Sequence, residues 1–269
     1  MAGNYDNREL AVRANLPVLA VRGIFCGCFT GRWKSSLPLN RLIYIFESGP
    51  EPGRIGDAAE DCELLPGKWL YLPPFHEVMH DQREGLNLVS IHFNLELYSR
   101  LEVMGECGRI FQGNAPELRS SFAALTKPGG AFGEVARLHA LVWRFLTEVI
   151  DRGAPSPEKL GRRFAGFSPL LEAFGKAPHA DFSVEEMAGI MKMGRESFVK
   201  RFSAETGGSP RNFFNRQRAA AAARELANPE TTVREVAMRF GFSSEFYFSR
   251  FFRRHFGMSP SDYRKSLKA

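Results

Sequence analysis

No apolar run in the sequence approaches the roughly 20 residues that a helix needs to cross a bilayer. The most apolar early stretch, Leu16 to Phe29, is interrupted by Arg22, so it is not read as a signal peptide, and a cytoplasmic location is expected. Cysteine is scarce. Cys26, Cys28, Cys62 and Cys107 all lie in the N-terminal half, with no second CxC or CxxC to complete a zinc site, and reduced thiols are expected. A Walker loop, a GxGxxG turn and a Ser/His/Asp arrangement are also missing, which removes the common phosphate-cradling and hydrolytic signatures. Positive charge is lacking in the first half: residues 1–160 hold 17 Lys+Arg against 19 Asp+Glu, whereas residues 161–269 hold 19 against 11. The net +6 of the chain therefore resides in its C-terminal part, which alone is suited to a polyanion. A solvated basic surface without a partner would carry the same charge.

Hydrophobic residues make up 44% of the sequence, enough for a real core. The N-terminal part reads as short strands. Leu42-Ile43-Tyr44-Ile45-Phe46 ends at Ser48-Gly49-Pro50; Trp69-Leu70-Tyr71-Leu72 lies between Pro66-Gly67 and Pro73-Pro74; Leu86 to Phe93 follows Gly85. Such strands suggest a β-sandwich or small barrel. Over 134–150 the period changes: Val135, Leu138, Val142, Phe145 and Val149 form an a/d stripe on one helix. The stripe is expected to dimerise the chain, packing on the same chain's sheet being the other possibility. Gly153-Ala154-Pro155-Ser156-Pro157 is the best linker candidate.

The C-terminal half contains a repeat. Phe198, Phe202, Gly207, Ser209, Pro210 and Phe213 recur 50 residues later as Phe248, Phe252, Gly257, Ser259, Pro260 and Tyr263. Upstream, Ser183-Val184-Glu185-Glu186 and Thr232-Val233-Arg234-Glu235 are both capping boxes, followed by Ala188 and Ala237 and then by turns at Gly194 and Gly241. Each copy is a capped helix, a tight turn and a second helix, which is a helix-turn-helix. Helical phase puts Phe248, Phe251, Phe252 and His255 on one side of the last helix and Phe246, Ser249, Arg250 and Arg253 on the other. In the first copy Phe198, Arg201, Phe202 and Glu205 oppose Glu196, Val199, Lys200 and Ser203. An outer face of cations and hydroxyls suits a helix lying in the major groove of DNA. Arg211 to Ala227, with the Ala219–Ala223 run, is expected as a stiff connecting helix of about 25 Å.

These residues resemble the AraC/XylS family of transcription regulators over about a hundred positions. The resemblance is carried by Glu235-Val236-Ala237-Met238-Arg239-Phe240-Gly241-Phe242-Ser243-Ser244, Tyr247-Phe248-Ser249-Arg250, Phe252, Phe256-Gly257-Met258-Ser259-Pro260 and Tyr263-Arg264. Glu205-Thr206-Gly207 and Arg218 fit the first copy, while Gly194 stands where the family usually has a Ser cap and Val199 where a polar residue is common. The N-terminal layout, Pro66-Gly67 through Pro73-Pro74 to His76 and then Ile91-His92-Phe93, is similar to the family's cupin-like sensor. The resemblance implies an α+β two-domain chain. A cupin-like β-barrel or sandwich with a dimerisation helix would occupy 1–152, a linker 153–166, and an all-α double helix-turn-helix 167–269, with its motifs at 183–204 and 232–254. It also implies double-stranded DNA, a second copy of the chain, a small-molecule effector and, for an activator, RNA polymerase as partners. The expected DNA contacts are Arg195, Glu196, Lys200, Ser244, Glu245, Phe246, Ser249, Arg250, Arg253 and Arg254.

Other constellations compete. His76-Glu77-Val78-Met79-His80 spells HExxH, but the zinc-peptidase chemistry needs a helix, and flanking prolines and strands leave little room for one. A cupin metal site from His76, His80 and His92 lacks a visible His-x-His and downstream Glu. Trp33, Tyr44, Trp69 and Tyr71, with the three histidines, are candidates to line an effector pocket; aromatic residues of a small barrel are also common core. Neither cofactor, metal nor catalytic residue is expected. The alternative is a cupin-type metalloenzyme fused to a DNA-binding tail.

Overall fold

The computed structural model describes residues 17–27, 30–97, 101–126, 132–228 and 230–266. Cys28, half of the Cys26/Cys28 pair noted above, lies outside them. Two units emerge: one takes in Leu19–Leu95 and Met104–Pro155, the other Glu96–Val103 and the chain from Ser156 onward.

Alternation of apolar residues along the strands sorts the first unit into two sheets. The larger runs β1 (Val18–Gly27), β8 (Asn87–Leu97), β3 (Asn40–Glu47), β6 (Lys68–Leu72), β10 (Phe111–Asn114); β9 (Leu101–Glu102) pairs the last residues of β8, Glu96 and Leu97, within the segment assigned to the second unit. The smaller runs β2 (Gly31–Ser35), β7 (Val78–Gln82), β4 (Arg54–Gly56), β5 (Asp61–Glu63). Ile43, Ile45, Leu70, Leu72 and Leu88 of the first sheet meet Ile55, Cys62 and Val78 of the second in one buried cluster, so the core lies between the sheets. Because side chains alternate, Tyr44, Phe46 and Trp69 face the other way. That face is covered by α1 (Arg119–Ala124) and α2 (Phe132–Asp151): Tyr44 stacks on Phe122 at 4.3 Å, and Phe145 meets Trp69 edge-on at 4.9 Å. Gly113, opposite Trp69 on β10, has no alternative, since a Cβ there would sit 2.7 Å from the indole nitrogen.

The α2 stripe is therefore already used within its own chain. Leu138, Val142, Phe145 and Val149 are buried, and only Val135 is exposed. This corrects the expectation that the stripe forms a dimer interface. The buried face also includes Leu141 and Leu146, wider than a two-residue seam and typical of a helix on a core.

The second unit is helical. Gly153, at φ 94°, turns the chain out of α2, and Ser156 caps α3 (Pro157–Phe164), so most of the span expected as linker is a helix with Leu160 and Phe164 buried. After α4 (Ser168–Lys176) comes α5 (Val184–Ile190), then α6 (Arg195–Thr206), α7 (Pro210–Leu226), α8 (Val233–Arg239), α9 (Glu245–Phe256) and α10 (Pro260–Ser266). Both capping boxes form: Ser183 and Glu186 bond reciprocally at the start of α5, Thr232 and Glu235 at the start of α8. Gly207 and Gly257 end α6 and α9 at φ 78° and 71°, a conformation that glycine adopts without strain. Phe202 sits among Phe164, Phe167, Phe198 and Phe213. In the second copy Phe252 sits among Phe248, Phe256 and Tyr263. The repeated aromatic positions are thus the two local cores. The alanines Ala219–Ala223 of α7 are all almost fully buried, so this stretch of the helix is enclosed on every side.

Candidate nucleic-acid interface and the polar cluster between the sheets

The outer face of α9 is set by what its inner face buries. Phe248, Phe252 and Phe256 are inside, and Phe246, Arg250, Arg253 and Arg254 are exposed, with Ser249 half-buried. Ser244 spends its hydroxyl on the backbone N–H of Tyr247, so it acts as the N-cap of this helix; Glu245 follows in the first turn. The Arg250 guanidinium lies 6.0 Å from the Phe246 ring centre and holds no ion pair among the described residues, so it is not tied to Glu245. Burial first, then Arg254 and Arg216, push the His255 imidazole below its ordinary pKa, which leaves the positive charge of this helix to its arginines.

In α6 the first-turn Arg195 is held by Glu185 of α5 at 2.6 Å, and Glu196 and Lys200 are exposed. Gly194 occupies the N-cap without a side-chain bond. The two helices therefore differ: α9 presents cations on its outer face, whereas the first-turn cation of α6 is neutralised. The frame between them is pinned by a residue outside the candidate contacts. Arg218 of α7 is buried, donates to the Phe240 carbonyl and to Asp181, and lies 4.6 Å from the Phe242 ring centre. Its place in the sequence motif is a structural one.

The pocket residues proposed from sequence separate into two groups. Tyr44, Trp69 and Tyr71 are fully buried among Phe122, Phe145, Phe93 and Phe111, so they are core rather than lining. This corrects their assignment. His76 is paired with Asp57 at 2.6 Å, on the half-buried approach to β7, and Glu77 with Lys34. The HExxH run is a loop and a strand, not a helix, so its two histidines do not share a helical face. Among the described residues no group of three or more His, Cys, Asp or Glu is arranged to hold a metal ion.

His80, His92 and Trp33 do converge, with partners that the sequence reading missed. On β3, Arg41 has the same parity as Ile43 and Ile45 and so enters the space between the sheets; on β8, His92 and Ser90 share parity with Leu88; on β7, His80 and Gln82 share it with Val78. Arg41 Nη1 donates to Ser35 Oγ at 2.8 Å and lies 3.4 Å from His80 Nε2, which is itself 2.9 Å from that hydroxyl. Trp33 stacks flat on His80, 4.8 Å between ring centres. Burial, then the Arg41 charge, push both His80 and His92 down to about 3, so both rings are neutral at physiological pH. The missed signal was a cation at an inward position of an otherwise apolar strand.

Comparison with known proteins bears on the helical part. A family model described as a helix-turn-helix domain matches residues 187–266. An uncharacterized HTH-type transcriptional regulator of Haemophilus influenzae is 33% identical over 97 residues, 36% of this chain and 33% of that protein. The HTH-type transcriptional regulator MtrA of Neisseria gonorrhoeae is 34% identical over 96 residues, 36% and 32% of the two chains. The chain thus spans about a third of the length of the curated relatives it matches. Along 93% of this chain and 99% of the other, the fold is similar to that of ToxT from Vibrio cholerae, with a TM-score of 0.58 at 12% identity, a likeness of fold alone. Through residues 187–266 the chain is similar to the helix-turn-helix domains of AraC-like transcription regulators.

Proposed function

We propose that the protein is a sequence-specific DNA-binding transcription regulator whose N-terminal unit, a cupin-like sandwich or barrel, senses a small molecule. The single observation that carries DNA recognition is the outer face of α9, where Arg250 stands clear of any acidic partner among the described residues beside exposed Arg253 and Arg254. Arginine reads guanine by donating two hydrogen bonds to O6 and N7. Arg253 and Arg254, further along the helix, suit phosphates, which position the helix without specifying sequence. α7, of 17 residues and about 25 Å, spaces the two second helices, and successive major grooves on one face of DNA are about 34 Å apart. With Arg195 paired to Glu185, the first motif contributes mainly through Glu196 and Lys200.

The division into a sensor over 1–152 and a DNA-binding part over 167–269 belongs to this reading, as do a cytoplasmic location, RNA polymerase as a partner and binding as two copies. The last of these is assigned no surface on the α2 stripe. Effector control draws support from a ToxT structure described as bound to an unsaturated fatty acid. No helix among the described residues is long and apolar enough to cross a membrane.

The test uses the full chain and an operator selected from random DNA. Arg250→Ala is expected to cost about 1–3 kcal/mol at that operator and to relax preference at one base position. Arg254→Ala is expected to weaken all sequences alike and to reduce the salt dependence by about one charge. An Arg250→Ala protein with unchanged base preference would remove α9 as the reading helix.

A further inference from the structure

The outer face of α9 carries a side chain that neither the local core nor phosphate binding accounts for. Phe246, in the first turn of the helix, is 66% exposed, and its ring stands edge-on to exposed Tyr247, 5.8 Å between centres. A phenyl ring left in water forgoes the burial that its apolar surface favours. The repeat shows that the fold does not demand it. Fifty residues earlier the same position of α6 is Glu196, also exposed, while the buried pairs Phe198 with Phe248 and Phe202 with Phe252 are identical in the two copies. Packing thus fixes the inner aromatics of both helices and leaves this outer position free to change from a carboxylate to a phenyl ring.

Phe246 and Arg250 are four residues apart and so lie on one face of α9, one turn from each other. The Arg250 guanidinium carbon is 6.0 Å from the Phe246 ring centre. Phe246 is the N-terminal member of the pair, and the N-terminal part of the second helix is the part that reaches base edges in a helix-turn-helix. Exposed Arg253 and Arg254 stand toward the other end. A helical turn rises about 5.4 Å and a base pair about 3.4 Å, so the ring and the guanidinium together span about one to two base-pair steps. In the major groove the base edges present donors and acceptors, with one apolar group among them, the C5-methyl of thymine. A ring pressed on any of the polar groups would take it from water and give it no partner in return.

We propose that Phe246 reads thymine: its ring packs on the C5-methyl group of a thymine within about two base pairs of the guanine that Arg250 binds. The assignment rests on the reading of α9 as the DNA-reading helix and adds a second base to what that helix specifies. Glu196, an acceptor at the matching position of α6, has no use for a methyl group, so the two motifs share a core and differ in the bases they select. Because 5-methylcytosine carries the same methyl group, methylation of a cytosine placed at that position supplies the same contact.

The experiment uses the full chain and the operator that it selects from random DNA, with affinity followed by fluorescence anisotropy. The position at which Arg250→Ala relaxes base preference locates the guanine, and a thymine should lie beside it on one strand or the other. Deoxyuridine in place of that thymine removes the methyl group and keeps every hydrogen-bonding atom. It should weaken binding of the parent about 4-fold, the effect of burying one methyl group, and should leave Phe246→Ala unaffected. With cytosine at the position, its 5-methylation should strengthen the parent by a similar factor and again leave Phe246→Ala unaffected. Phe246→Ala should melt like the parent and keep the guanine preference that Arg250 provides, and Phe246→Gln, with a polar side chain of similar reach, should be equally blind to the methyl group. A parent indifferent to deoxyuridine at the thymines near that guanine, a selected operator with no thymine there, or a methyl effect that persists in Phe246→Ala overturns the assignment, while the Arg250→Ala result still stands for α9 as the reading helix. An Arg250→Ala protein with unchanged base preference removes that reading, and the thymine contact falls with it.

Discussion

Val142→Glu decides between the two roles open to α2. Val142 is completely buried beneath the helix, beside Phe145 and Leu138. Replacing it removes at least about 1.5 kcal/mol of apolar burial. The carboxylate fares worse, because a fully buried Glu is driven to a pKa of about 8–9 from about 4.3 in the unfolded chain. At pH 7 the folded protein must bind a proton that the unfolded chain has released, which costs about 4 kcal/mol. The sum, about 5 kcal/mol or more, rivals the whole stability of an ordinary domain. The sign also follows: a folded pKa above the unfolded one gives stability that is complete below about pH 4 and is lost as pH rises toward 8.5. Urea unfolding followed by circular dichroism, at pH 5 and pH 8, should therefore show the difference between variant and parent growing by about 4 kcal/mol over that interval. Val135→Glu, at the exposed start of the same helix, should leave stability unchanged within about 0.5 kcal/mol. A Val142→Glu protein that melts like the parent at both pH values and differs only by being monomeric on a sizing column would refute the packing argument and return the stripe to a dimer interface.

Three further perturbations follow from the same geometry. Arg218→Met should destabilise the helical unit by about 2–4 kcal/mol, since the Phe240 carbonyl and Asp181 lose a buried charged donor; a melting curve unchanged from the parent would contradict this. Thr232→Ala removes the acceptor for the Glu235 N–H and should cost about 1 kcal/mol. Glu235 itself, with its pKa lowered by the bonds to Thr232, adds stability that is present above its unfolded pKa and lost as pH falls through the folded one, so the Thr232→Ala difference should shrink in acid. Iodoacetamide should modify exposed Cys26 in the native protein and spare Cys62, which is buried and whose thiol burial pushes up to about 11; mass spectrometry of the native and urea-unfolded chains tells them apart.

Legibility of this chain in its sequence tracks the range of the interactions. The helix-turn-helix pairs are written locally: a capping box spans four residues, an aromatic pair on one helix face spans five, and a glycine stop lies five residues past the second phenylalanine. Each is decided before any distant contact forms; in the structure the corresponding helices are Val184–Ile190 with Arg195–Thr206 and Val233–Arg239 with Glu245–Phe256. The sheets are different. Leu42 to Phe46 announces a strand, but which face of it meets the other sheet and which meets α1 and α2 depends on partners up to about a hundred residues away, such as Phe122 and Phe145. That is why Tyr44, Trp69 and Tyr71 looked like pocket residues and are core, and why the α2 stripe looked like a coiled-coil seam.

Arg41 exposes the same limit from the other side. In sequence it is one arginine ahead of an apolar run, indistinguishable from a solvated strand end. Its meaning comes from register: β3 pairs β8 so that Arg41 stands opposite His92, and β2 pairs β7 so that Ser35 and Trp33 meet Val78 and His80. Four strands, separated by up to about sixty residues, place one cation and two neutral imidazoles in a single buried layer. Parity along each strand, read with the apolar neighbours as the inward reference, is the one sequence-level rule that would have found it. Applied to β3, β7 and β8 together, that rule picks out Arg41, His80, Gln82, Ser90 and His92, and it rejects Tyr44, the residue that aromatic character alone had favoured.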